Sequence, residues 1–148
     1  MYEPAVMFVE NKTFPDDVRH DYDGIPCSLR KAHNVYGMQM ARATYQGLKK
    51  FSYPKRPFVI TRAAYAGTQR YTSTWTGDNV ATWDHLNIAN IQAQRLSMSG
   101  FSFVGSDIGG FAEQPNGELY ARWIQLGMFH PFFRTHSSGD HGDQEPWT

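Results

Sequence analysis

One plan occurs twice in this chain. Tyr71-Thr72-Ser73-Thr74-Trp75 favours extended backbone, breaks at Thr76-Gly77-Asp78-Asn79, and gives way to a helical pattern from Thr82 or Asp84 to Met98. Phe101-Ser102-Phe103-Val104 repeats it, running into Asp107, the pair Gly109-Gly110 and Phe111 before the next helix. A strand, an acid-bearing loop and a helix in series restrict the chain to β/α packing, because parallel neighbours need a crossover between them. A lone Gly-Asp is ordinarily a turn or a helix cap. Two acids, each at a strand end and flanked by Gly and aromatic residues, leave a chemical role open beside that structural one.

The remaining segments extend the alternation. Residues 9–34 are polar and turn-rich and are expected to form a long excursion without helical or strand period. Met38, Ala41, Tyr45 and Leu48 recur at helical spacing and predict a helix over residues 35–50, with Lys49 and Lys50 at its C-terminal end. Phe58-Val59-Ile60-Thr61 suits a short buried strand and is followed at once by Arg62. Gly100 is placed to end the helix that begins near Thr82. Leu119, Trp123 and Leu126 predict a helix over residues 118–128, whose end Gly127 weakens. Pro131-Phe132-Phe133-Arg134-Thr135-His136 reads as a last strand with a charged exit, and residues 137–148 as polar loop.

The expected fold class is therefore α/β: a partial (β/α)8 barrel, about its second half, with four strands and intervening helices, over residues 1–148 and without a second domain. Arg62, Asp78, Asp107 and His136 then lie at the C-terminal ends of successive strands, on the rim where such barrels carry their chemistry.

Composition narrows the partners. Fourteen basic and 14 acidic residues leave no net charge, so neither nucleic acid nor a membrane surface is expected as a partner. No apolar run approaches a bilayer span. The lone Cys27 excludes an internal disulfide and a cysteine-based zinc cluster. Asp140, His141 and Asp143 near His136 lack a defined metal geometry and read as solvated loop charges, so no metal or other cofactor is expected. Aromatic residues make up 15% of the chain. Their faces suit the apolar faces of sugar rings when Asp, Arg and His stand nearby, although an ordinary aromatic core explains them as well. The compartment is not legible.

With that rim assembled, the chain resembles the catalytic barrel of glycoside hydrolase family 31, the α-glucosidase and α-xylosidase group. The resemblance rests on His33-Asn34-Val35-Tyr36-Gly37, Arg56-Pro57-Phe58-Val59-Ile60-Thr61-Arg62, Trp75-Thr76-Gly77-Asp78-Asn79, Gly105-Ser106-Asp107-Ile108-Gly109-Gly110-Phe111, Arg122-Trp123-Ile124-Gln125-Leu126-Gly127 and Arg134-Thr135-His136, in family order. It implies retaining hydrolysis of a terminal α-linked sugar in an oligosaccharide or α-glucoside. By the same resemblance Asp78 is the general acid/base, Asp107 and Arg62 bind the sugar, and Trp75 and Phe111 wall its subsite. His136 binds at the sugar's rim, Met1 belongs to the same subsite, and Arg134 orients neighbouring carboxylates.

One departure stands out. The family's nucleophile is an Asp followed by Met-Asn-Glu-Pro, whereas this chain opens Met1-Tyr2-Glu3-Pro4. Met1 then follows the nucleophile's position, and Tyr2 replaces the family's Asn. The chain reads as the interior of a larger domain, inactive and poorly stable without the N-terminal half of its barrel. A contrasting reading is a non-catalytic carbohydrate-binding protein or a decayed enzyme.

Overall fold

The computed structural model describes residues 4–145 and 147, in two compact units, residues 1–72 and 73–148. Among the described residues no helix is long and apolar enough to cross a membrane.

The first unit opens with a hairpin where an unstructured excursion was expected. Strand β1 (Arg19–Tyr22) pairs antiparallel with β2 (Ile25–Ser28), with Tyr22 opposite Ile25. The two residues between them, Asp23 and Gly24, both take positive φ (52° and 85°), as a two-residue turn matching strand twist demands. The Asp21 carboxylate closes the turn by accepting from Gly24 N at 2.5 Å. Asp-Gly was the signal for this hairpin; the polar residues around it hid the strands, whose side chains are mostly exposed.

Helix α1 (Leu29–Phe51) starts earlier than residue 35. Leu29 and Ala32 are buried and carry the stripe of Gly37, Met38 and Ala41 back by two turns. Tyr45 and Leu48, expected on the same face, are half-buried. Gly37 lies so close to the chain at residue 63 that a Cβ there would stand 2.5 Å from the Ala63 Cβ. Arg42 donates to Asp23 at 2.7 Å, tying the helix to the hairpin turn.

At residues 58–61, where a strand was expected, Ile60 has bridge geometry, and among the described residues no further ladder is formed. The Val59 carbonyl accepts the Thr72 hydroxyl at 2.7 Å, and Phe58 is 59% exposed. A 3-10 turn at Thr68–Arg70 completes the unit.

The second unit carries the alternation read from the sequence. It runs β3 (Thr74–Trp75), α2 (Trp83–Met98), β4 (Val104–Gly105), β5 (Asp107–Ile108), α3 (Gly117–Gly127) and β6 (Arg134–Thr135). Thr82 caps α2 by accepting from His85 N at 3.2 Å, and Asp84 meets the positive end of the helix dipole. At the other end Gly100 takes φ 94°, its N–H bonds Ser97 O, and Phe101 N bonds Leu96 O at 3.0 Å. That pair of bonds is a Schellman motif, and it drops Phe101 into the core, 6% exposed. Asn116 caps α3 through Leu119 N at 2.9 Å.

Residues 104–108 form the middle of a parallel arrangement. β4 pairs with β3 on one side, and β5 pairs with β6 on the other, with Asp107 opposite Arg134. Ser106 is the single residue between them. The expected strand at 101–104 is thus shifted toward Asp107, which sits inside the ladder and not in the loop beyond it. Ile108 packs with Ala89, Leu119 and Trp123 in the core between the strands and the helices. Gly127, expected to weaken α3, lets it approach: a Cβ there would lie 2.3 Å from Ile108 Cδ1. Among the described residues these ladders do not close into a barrel.

Two glycines report on this packing with opposite sign. Gly47 lies inside α1 with nothing within 4 Å of an added Cβ, whereas at Gly105 a Cβ would stand 1.8 Å from the Phe132 carbonyl oxygen. Gly47→Ala is expected to raise stability by about 0.5–1 kcal/mol. Gly105→Ala forces β4 away from residue 132 and is expected to cost about 3 kcal/mol. Urea unfolding of both variants checks this, and a shift of the same sign in each would overturn the packing account.

Candidate functional site

Because β3, β4, β5 and β6 pair in parallel, the segments leaving them emerge on one side of the second unit. Asp107 is fully buried and accepts from Arg134 Nε through Oδ1 at 2.7 Å. The Arg134 guanidinium also lies over the Trp75 ring and the Phe132 ring, each at 5.2 Å. One cation thus holds a carboxylate through a charge-assisted bond and two aromatic faces through their quadrupoles. Among the described residues, two polar atoms in this group are buried without a hydrogen-bond partner, the Asp107 Oδ2 acceptor and the Trp75 Nε1 donor.

Burial pushes the Asp107 carboxyl above the ordinary carboxylate range. The hydrogen bond and charge of Arg134 pull it down, the charge of His136 pulls the same way, and the charge of Asp78 pushes it up. These opposing causes connect Asp78, Asp107, Arg134 and His136 in one field.

Asp78 is exposed, on the loop leaving β3. That loop is tied down on both sides of the acid. Thr76 N donates to Gly105 O at 3.1 Å, and the Thr76 hydroxyl donates to Asn79 Oδ1 at 2.5 Å. The carbonyl of Asn79, itself 4% exposed, accepts from both Phe111 N (2.7 Å) and Ala112 N (3.1 Å). Val80 N donates to His85 Nδ1 at 3.0 Å. Gly110 permits the two loops to meet, since a Cβ there would stand 2.7 Å from Ala81 N. Phe111, so anchored, faces His136 with ring centroids 5.2 Å apart.

The second unit therefore gathers Trp75, Asp78, Asp107, Phe111, Arg134 and His136. Arg62 belongs to the first unit, where it follows the buried Thr61 and precedes the close approach of Ala63 to Gly37. Met1 lies outside the described residues. Among the described residues no group of three or more His, Cys, Asp or Glu is disposed to hold a metal ion.

The family model for the glycosyl hydrolases family 31 TIM-barrel domain matches residues 1–148. The chain belongs to glycosyl hydrolase family 31. Alpha-glucosidase 2 of Bacillus thermoamyloliquefaciens is 50% identical over 147 residues, a match covering 99% of this chain and 19% of that protein. Glucosidase 2 subunit alpha of Saccharomyces cerevisiae is 44% identical over 149 residues, covering 99% of this chain and 15% of its own length. Among solved structures, a Tris-bound glucosidase II alpha subunit superposes with a TM-score of 0.90 at 40% identity, covering 99% of this chain and 16% of that one. A Flavobacterium johnsoniae family 31 dextranase complexed with glucose matches with a TM-score of 0.71 at 32% identity, over 80% of this chain and 16% of that one. The chain thus spans less than a fifth of the length of these relatives.

Sequence reasoning missed two supports of this candidate site. Asn79 and His85 fasten the Asp78 loop through backbone bonds. The spacing Thr82-x-x-His85 at a helix start was the available signal for the second. For the first, residue type marks the side-chain bond with Thr76, whereas the Asn79 carbonyl acceptor leaves no mark.

Removing Arg134 tests the electrostatics. The folded pKa of Asp107 is raised, so this group favours folding most fully below its unfolded pKa near 3.8, and that contribution is lost as pH rises through the folded value. Arg134→Met removes two of the causes that lower it and shifts the titration further up. The variant is expected to lose about 3–5 kcal/mol at pH 7, with a deficit that shrinks toward pH 4 as Asp107 takes up a proton. Unfolding measured at both values checks this; an equal deficit at both would count against an ionised, buried Asp107.

Proposed function

We propose that the parent protein hydrolyses terminal α-glycosidic bonds with retention of configuration, releasing glucose or a related sugar such as xylose from an α-linked oligosaccharide. The observation that carries this reading is the buried Asp107–Arg134 pair against Trp75, with one unpaired acceptor and one unpaired donor, below an exposed carboxylate on a pinned loop. A sugar hydroxyl both donates and accepts, so it suits a site holding an orphan of each kind. The names of the relatives, alpha-glucosidases, favour the same chemistry.

In this reading residues 1–148 are about the second half of a (β/α)8 barrel, contributing four of its strands, and the other half belongs to the remainder of the parent polypeptide. Asp78 protonates the departing glycosidic oxygen and later takes a proton from water. Its exposure suits exchange of protons with both. Asp107 and Arg62 bind hydroxyls of the sugar, Trp75 and Phe111 wall its faces, and His136 and Met1 border it. Arg134 favours the ionised form of Asp107 and aims it. The attacking carboxylate belongs to the remainder of the parent polypeptide, and retention requires it about 5–5.5 Å from the acid/base.

Asp78→Asn in the full-length protein is expected to lower kcat by about 10²–10⁴ on alkyl α-glucosides. The loss should be smaller on nitrophenyl glucosides, whose leaving group needs little protonation. Activity equal to the wild type on both would reject Asp78 as the acid/base.

A further inference from the structure

Along residues 104–108 side chains alternate between two sides. Asp107 meets Arg134, while Ser106 and Ile108 meet α3 and the core. The Trp123 Nε1–H donates to Ser106 Oγ at 3.1 Å, and both residues are fully buried. Ser106 is also the residue between β4, which pairs with β3, and β5, which pairs with β6. A side-chain anchor there restrains the rotation of the segment about its own axis. On the far side of Asp107 the chain continues into Gly109 and Gly110, both at positive φ. Restraint on Asp107 from the helix side therefore enters through Ser106, by a hydrogen bond, and through Ile108, by packing.

Trp123 is itself enclosed by the core. It is fully buried with Leu119, Ala89 and Ile108, and one turn later Gly127 lets α3 press on Ile108 and Phe133. We propose that Trp123 is a positioning residue that, through Ser106, aims the Asp107 carboxylate at the sugar. The proposal rests on the sugar-binding role given above to Asp107. Neither residue would touch substrate, being on the opposite side of the strand. A displacement of about 1 Å in a binding carboxylate is enough to cost up to a hundredfold in a site that demands fixed geometry.

The test separates aiming from stability. Trp123→Phe alone strands a buried hydroxyl and Ser106→Ala alone strands a buried N–H, and each should lower Tm. The double variant strands neither, so its Tm should return toward the wild type. In the full-length protein, affinity for methyl α-glucoside measured by calorimetry is expected to stay about tenfold weak in the double variant although its Tm recovers. In an Asp107→Asn background the same pair of changes should alter affinity by less than about twofold. Recovery of affinity together with Tm, or an equal loss in both backgrounds, would overturn the proposal. If the wild type binds no methyl α-glucoside, the functional reading fails by itself. Crystal structures then decide the aiming role: an Asp107–Arg134 contact still at 2.7 Å in the double variant overturns it, and a lengthened contact supports it.

Discussion

Hydrogen bonding along residues 104–108 is shared between two neighbours, and much of the second unit depends on that sharing. Val104 and Gly105 pair with β3, Asp107 and Ile108 pair with β6, and Ser106 stands between. The arrangement needs the backbone of residue 132 almost in contact with Gly105, which a side chain would forbid. It also needs α3 to close on Ile108 at Gly127. These two absences of a side chain let a five-residue segment bring Trp75, Asp107 and Arg134 together.

The same segment buries a carboxylate beside one guanidinium. Burial of a charge is tolerated when a partner and hydrogen bonds compensate it, and Arg134 supplies one bond of the set. Asp107 Oδ2 and Trp75 Nε1 are left without partners. Each unpaired buried group costs about 1–3 kcal/mol. A group that both donates and accepts would relieve both costs, which gives the site a physical reason to prefer a hydroxyl-bearing ligand. Holding Asp78 at the surface while Asp107 is buried gives two acids of one type different environments, and so different capacities for proton transfer and for binding.

Much of this was legible from residue order, by identifiable means. α2 was readable because its stripe, its Thr82 cap and Gly100 agree with one another. α3 was readable from Leu119 and Trp123. The start of α1 was obscured because Leu29 and Ala32 follow turn-forming residues, although they continue the apolar stripe. The β1–β2 hairpin was lost because exposed strands carry no apolar alternation, leaving only Asp23-Gly24 to mark it. The strand expected at residues 58–61 is marked among the described residues by the bridge geometry of Ile60.

By itself the sequence determined the elements whose causes are local: helix periods and caps, glycine turns, and the motifs that mark the chain as a family 31 member. It also placed Asp78 and Asp107 at the ends or edges of extended runs. Tertiary structure alone decided that Asp107 lies inside a ladder opposite Arg134, that Arg134 covers Trp75, and that Asn79 and Ser106 carry the fastenings behind the acids. Those contacts join residues far apart in the chain, through backbone carbonyls and a ladder register. Register is a property of two segments together, and neither segment states it alone.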